Sequence, residues 1–394
     1  LSSAASDVYK RQTLELAMRS PMPQLPLLLL HCTWFPVPRH AVEAHGGMLS
    51  RAGAWTRPGA AVGNGPFVMA EHRFNDYVEV RRNPRYRNAA AVRLNGVRFL
   101  PTVNGFTETR MFFNGKMHVT NNVPPEMTAY ARERGGADFC QDDYYVTIFY
   151  RLNTGRGPLK DVRVRKALSM AVDREALVRD VVCGGGQPCF GFTPDGAGYR
   201  TPHGVEFNPE KARALLAEAG FPGGEGFPRL ELMTTSREVQ KTMAEAIQGM
   251  WKKHLGIHVE IRSCEWTAYK FAQNSMQYDL SSSSWSGDYL DPSSFLDLWS
   301  AASGNNNTGW FHPEYERLLA ESRATGDQEK RMALLARAEA LMLSESPVIP
   351  LYWARRSYLK RPEVRGWHPL LLDNHLFEDI SLCAPRARGK GGRQ

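Results

Sequence analysis

The stretch that decides the fold is residues 208–262, NPEKARALLAEAGFPGGEGFPRLELMTTSREVQKTMAEAIQGMWKKHLGIHVEIR. Asn208, Pro209 and Glu210 supply a helix N-cap, a proline at the first helical position and an acid in the first turn. Ala212, Leu215, Leu216 and Ala219 then share one helical face, and Gly220 ends it. Residues 230–233 read as a strand. A longer helix follows, striped by Val239, Met243, Ala246, Ile247 and Met250, and stops at Gly256. Ile257, Val259 and Ile261 alternate with His258, Glu260 and Arg262 as the next strand. Strands alternating with helices predict an α/β lobe with parallel pairing. The methionines of the stripe read as core side chains rather than a cofactor box.

Working outward, YYVTIFYRLN at 144–153 is β-branched and aromatic and predicts a strand. Asp161 caps a helix whose apolar positions are Val164, Ala167, Leu168 and Ala171, and Asp173 caps another. Residues 13–100 are rich in Pro and Gly, with short strands at 67–69 and 77–80 that end at Asn83-Pro84. Gly63-Asn64-Gly65-Pro66 reads as a tight turn, because no Lys-Ser or Lys-Thr follows to make it a phosphate loop. Towards the C-terminus a polar strand over 278–284 runs into Trp285, Ser286, Gly287, Asp288 and Pro292. Its four serines, 281–284, suit a strand face lining a wet cavity. Helices over 313–322 and 328–343, the second capped by Asp327, lead to a strand over 348–353.

At 394 residues the chain is too long for one ordinary core and predicts two lobes. Hydrophobic residues at 42% and charged residues at 23% are globular proportions and exclude long disorder. Half of the +8 net charge sits on Arg386, Arg388, Lys390 and Arg393 in an acid-free tail, 384–394, expected to be solvated and disordered. A near-neutral body lacks the basic face of a nucleic-acid binder. None of the six cysteines forms a C-x-x-C pair, which argues against structural zinc. Cys183 and Cys189 are either a small disulfide or two free thiols. No nucleophile elbow, zinc helix, Walker loop or dinucleotide fingerprint occurs. The acids Asp142-Asp143 and Asp288/Asp291 do not by themselves make a catalytic pair. Binding is therefore expected rather than catalysis, with no cofactor and no metal. Residues 1–12, LSSAASDVYKRQ, read as translated adapter sequence and are set aside. The apolar run 25–30 is broken by Pro26 and far below the ~20 residues that span a bilayer.

From about Thr13 to Leu382 the chain resembles the extracellular solute-binding proteins of peptide ABC importers, of the oligopeptide/dipeptide-binding type, family 5. The resemblance is carried by FPVPRH (35–40), VGNGPF (62–67), RNPRY (82–86), Asn153-Thr154 with PLKDVRVRKAL (158–168), NPEKA (208–212) with LLAEAG (215–220), Leu255-Gly256-Ile257, and Trp285 to Pro292 with Phe295-Leu296. Each motif is weak alone; their shared order is strong. It implies a two-lobed α/β periplasmic-binding-protein-like fold with hinge strands near 149–153 and 352–355. Lobe one would be 13–150 with a return at 356–383, and lobe two 151–355. It also implies that the chain starts partway into lobe one, with the early part missing and an apolar patch or unpaired strand edge left where that part would dock. The implied function is capture of a peptide between the lobes and delivery to the permease of an importer. The protein would be a monomer in the periplasm or outside the cell, reaching the membrane through the transporter, with no nucleic-acid partner.

The implied site puts a peptide's free amine on Asp288. Ser284, Ser286 and Gly287 offer a strand edge, Trp285 an apolar wall, and Asn122, Tyr144 and Tyr145 the opposite wall. Asp288 is otherwise a turn cap, Trp285 plain core, and Asn122 a turn residue. Substituting Asp291 by Asn is expected to do little to binding unless it disturbs the turn before Pro292. The cysteine pair that some members place beside the pocket is replaced by Val146 and Ser286. Gln273 and Ser282 stand where oligopeptide binders carry arginines for a peptide carboxylate. These departures keep a non-peptide solute (a nickel chelate, haem, an opine or an oligosaccharide) as the alternative, with a two-lobed hydrolase behind it.

Overall fold

The computed structural model of the chain describes residues 15–18, 21–50, 53–102, 104–183 and 185–383. Residues 1–12, read above as adapter sequence, and the basic tail 384–394 lie outside the described residues. The chain divides into two compact units. The smaller contains Trp34–Tyr144 and the residues from Arg355 on; the larger contains Tyr145–Ala354 and the described residues up to Thr33.

In chain order the main strands are β1 (Phe67–Arg73), β2 (Tyr77–Arg82), β3 (Gly96–Phe99), β4 (Phe139–Leu152), β5 (Gly186–Pro188), β6 (Leu230–Thr235), β7 (Val259–Cys264), β8 (Leu280–Ser286) and β9 (Val348–Leu359). The smaller unit holds an open antiparallel sheet, ordered β1-β2-β3. Asn83 ends β2 as expected: its Nδ2 donates to the Gly65 carbonyl at 2.8 Å and its Oδ1 accepts the Arg85 amide at 3.0 Å. Helices Gly105–Phe113 and Thr128–Gly135 close a small core of Phe112, Val123, Ala131 and Leu359.

The larger unit is built on six strands ordered β5-β9-β4-β8-β6-β7. β6 and β7 are parallel, with Leu230 opposite Val259 and Thr235 opposite Cys264. Helix Glu238–Leu255 makes the crossover and is stopped by Gly256, which takes the left-handed conformation (φ 69°) that a glycine adopts without strain. Its buried stripe is Met243, Ala244, Ile247, Trp251 and Leu255, while Val239, Ala246 and Met250 are only half-buried. The stripe is rotated from the one predicted because Trp251 is drawn inward, its indole N–H donating to the Leu168 carbonyl at 2.8 Å. Helix Pro209–Glu218 starts where expected, the Asn208 side chain accepting from the Lys211 amide. It packs Ala212 and Leu216 into the same core as Val164 and Leu168 of helix Val162–Met170.

β4 and β9 run from one unit into the other, and the division falls at Tyr144/Tyr145 and Ala354/Arg355. The first of these lies earlier than the expected 150/151. Residues 146–152 pair with β8, Val146 opposite Ser286 and Leu152 opposite Leu280, and that ladder ties them to the larger unit. The described residues before Trp34 also group with the larger unit rather than with lobe one. Cys183 is exposed and Cys189 buried, and both are free thiols, so the disulfide alternative is set aside.

Candidate functional site

β8 is the polar strand read from the sequence, running from Leu280 to Ser286 rather than over 278–284. β4 pairs with it along its whole length, but β6 pairs with it only at Leu280 and Ser281. Past Ser281, the second edge of β8 has no strand partner among the described residues. An edge of this kind presents backbone donors and acceptors to any extended chain that can reach it.

Three of the four serines, Ser282, Ser283 and Ser284, line a cavity of about 100 Å³ within the larger unit. Its walls are Ser282, Ser283, Ser284 and Trp285 of β8, Arg151 of β4, Trp266, Tyr269, Lys270 and Gln273 of helix Trp266–Asn274, and Thr235, Gln240, Asn305 and Asn307. Gln273 organises one wall, its Nε2 donating to Tyr269 Oη at 3.0 Å, Ser281 Oγ at 3.2 Å and Ser283 Oγ at 3.0 Å. Tyr269 Oη also donates to the Ser282 carbonyl. Arg151 is 4% exposed; its Nε donates to Ser283 Oγ at 3.1 Å and its Nη1 to the Asn305 carbonyl at 2.9 Å. The guanidinium also lies over the rings of Phe149 and Trp299. Burial holds its pKa below the usual arginine value, and burial followed by the nearby Arg151 charge lowers that of Lys270.

Six of the eight predicted site residues fall together in the larger unit, on β8, just after it, or on β4. Ser284 lines the cavity, and Ser284 and Ser286 are exposed. Trp285 is both wall and anchor: half-buried, it lines the cavity while its indole N–H donates to the Ser294 carbonyl at 2.7 Å. Gly287 corrects the expectation of a free edge. It is buried, and its N–H donates to the Tyr145 carbonyl at 2.9 Å. A Cβ there would come within 2.4 Å of Tyr145 Cδ1. Tyr145 itself is no wall. It is fully buried in the larger unit, its ring edge-on to Phe295 at 4.8 Å. Asn122 and Tyr144 belong to the smaller unit. Asn122 is exposed, on a loop whose Asn121 amide donates to Glu108 and whose Asn121 carbonyl accepts from Arg356 Nε at 2.9 Å.

Asp288 is exposed, and its carboxylate has no hydrogen-bond partner among the described residues; only its backbone N–H is used, donating to Ser294 Oγ at 2.8 Å. The turn is capped instead by Asp291, whose Oδ1 accepts from the Ser293 amide and hydroxyl at 2.9 and 2.6 Å. Asp291 is buried and forms a two-point ion pair with Arg331 at 2.6 and 2.7 Å, so it holds the turn before Ser293, the case in which its substitution was expected to matter. Arg151 and Lys270 were not anticipated. One signal for Arg151 was available: it is a lone cation in the otherwise apolar run 144–152, and a buried charge needs a reason.

The family model described as "Bacterial extracellular solute-binding proteins, family 5 Middle" matches residues 3–307. The periplasmic oligopeptide-binding protein OppA of Escherichia coli is 30% identical over 363 residues, covering 90% of this chain and 66% of that protein. The chain thus spans about two thirds of the length of that relative. Among solved structures, a periplasmic oligopeptide-binding protein of Borrelia burgdorferi superposes with a TM-score of 0.81 at 33% identity, covering 96% of this chain and 75% of that one. OppA of Haemophilus influenzae in complex with RPPGFSPFR superposes with a TM-score of 0.77 at 26% identity, covering 93% and 72%.

Proposed function

The chain belongs to the family 5 bacterial extracellular solute-binding proteins, and from that premise we propose that it captures peptides for an ABC importer and hands them to the permease subunits. The peptide adds as a strand to the open edge of β8, where main-chain hydrogen bonds hold it whatever its side chains. Its ammonium group meets Asp288. Trp285 supplies an apolar surface, and the serine-lined cavity takes side chains together with water. The relatives named above as periplasmic support action outside the cytoplasmic membrane. Among the described residues no helix is long and apolar enough to cross a membrane.

The observation that carries this reading is an exposed carboxylate, unpartnered among the described residues, just beyond a strand edge that is likewise unpaired among them. Truncating one partner of a desolvated charge pair costs about 2–5 kcal/mol. Asp288→Asn is therefore expected to weaken free-amine tripeptides by roughly tens to thousands of fold. N-acetylated tripeptides, which offer no charge, should lose far less. Calorimetric titration of both ligands decides it, and equal losses would mean that Asp288 holds the loop and not the amine.

A further inference from the structure

Residues 119–123 of the smaller unit lie antiparallel to β9, with Val119 opposite Lys360. The Thr120 amide donates to the Leu359 carbonyl at 2.9 Å and the Val123 amide to the Ser357 carbonyl at 2.8 Å. The amides of Asn121 and Asn122, between these contacts, go instead to Glu108, which is buried in the first turn of helix Gly105–Phe113 and whose carboxylate accepts both. Arg356 of β9 grips the other side of Asn121: its Nε donates to the carbonyl and its Nη2 to the side-chain Oδ1, each at 2.9 Å. Arg356 is held in turn, its Nη1 ion-paired with Asp373, whose Oδ1 lies 2.8 Å from His375 Nε2. The Asn122 side chain is exposed and has no hydrogen-bond partner among the described residues. All of these residues belong to the smaller unit.

We propose that Arg356 is a positioning residue for peptide capture: by clamping Asn121 it sets Asn122, whose free side-chain amide hydrogen-bonds the main chain of the ligand. An Asn amide carries an acceptor and two donors, so it answers the N–H and C=O groups that every extended peptide presents. A contact of this kind is effective only where its own backbone is fixed beforehand, because a loop that must be ordered on binding subtracts that cost from the affinity. Exposed residues such as Asn121 and Asn122 have little packing to fix them, and the clamp does so in its place. The planar guanidinium suits the task. Two of its nitrogens reach two acceptors of one residue while the third meets a carboxylate. A lysine ammonium is a point charge and cannot span all three.

The inference rests on the peptide reading, and the test separates the two. Alanine tri- and pentapeptides, whose side chains are minimal, are titrated calorimetrically into the full chain and into Arg356→Lys, Asn122→Ala, the double variant and Asp288→Asn. Arg356→Lys keeps a cation for Asp373 but loses the two-point grip on Asn121. It is expected to weaken binding by roughly 3- to 30-fold, the scale of lost charge-assisted hydrogen bonds, with little change in melting temperature. Asn122→Ala should weaken binding by at least as much. Adding Arg356→Lys to it should cost less than about 2-fold more, because the clamp then has nothing to position. Losses that multiply overturn the proposal, as does an Arg356→Lys protein that binds like the wild type. Should Arg356→Lys fail to fold, Asn121→Ala, which removes the Oδ1 acceptor of the same grip, takes its place in the cycle and is judged by the same outcomes. If Asp288→Asn weakens binding and Asn122→Ala does not, this inference falls and the peptide reading stands. If the wild type binds neither peptide, both fall.

Discussion

At the scale of single residues, neighbouring carboxylates do opposite work. Asp288 is exposed and unpartnered, while Asp291 is buried against Arg331. Removing one member of such a buried pair leaves an uncompensated charge, at about 3–5 kcal/mol. Asp291→Asn is expected to lower unfolding stability by that order in urea titration, and Arg331→Met in the same background should recover part of it. A loss within error of zero would show that the pair contributes nothing. The cysteines give a second residue-level expectation. Cys32, Cys183 and Cys383 are exposed and Cys189 is buried, where burial also pushes its thiol pKa up. A thiol reagent should label the three exposed groups in the native protein and Cys189 only after unfolding. A Cys183–Cys189 bridge would show itself as two missing thiols under denaturant.

At the scale of elements, the end of the β4–β8 ladder leaves no room for a side chain at one position. Gly287 follows β8, and a Cβ there would press on Tyr145 and within 2.9 Å of Phe295. Gly287→Ala is expected to cost about 1–3 kcal/mol by overpacking. It should weaken peptide binding as well, because the strain falls beside Asp288. Unchanged melting and unchanged affinity would show that the contact is soft. The register of these strands was only partly legible. The period-2 pattern of 257–262 identifies β7 without help, because alternation is a local property. For β8 the run of serines identifies a polar strand, but nothing local says where its pairing with β6 stops, since that depends on where two distant strands diverge.

At the scale of the whole molecule, the two units carry different chemistry. In the smaller one, His375 stacks on Trp367 with ring centroids 3.7 Å apart and lies 2.8 Å from Asp373 Oδ1. Burial, and then the Arg356 charge, push its pKa down to about 4 from 6.5. The fold therefore favours the neutral ring. That contribution is fully present above pH 6.5 and is lost as pH falls from 6.5 towards about 4. The melting temperature should drop across that window, and His375→Gln should drop less; identical slopes would remove His375 from the account. Much of the fold was determined by sequence alone. The caps at Asn208, Asp161 and Asp327, the stop at Gly256 and the β6–helix–β7 crossover rest on dihedral preferences and periodicity within a few residues. The order of its motifs singled out Asp288 after the serine strand, where a buried carboxylate was expected; that the acid is exposed came from the structure. Only the tertiary structure decided that Gly287 and Tyr145 serve packing, that Asp291 belongs to Arg331, and that Arg151 meets Lys270 across a serine-lined cavity. Those outcomes depend on which residues 40 to 142 positions apart share a space, and on burial placing a cation beside neutral partners alone among the described residues.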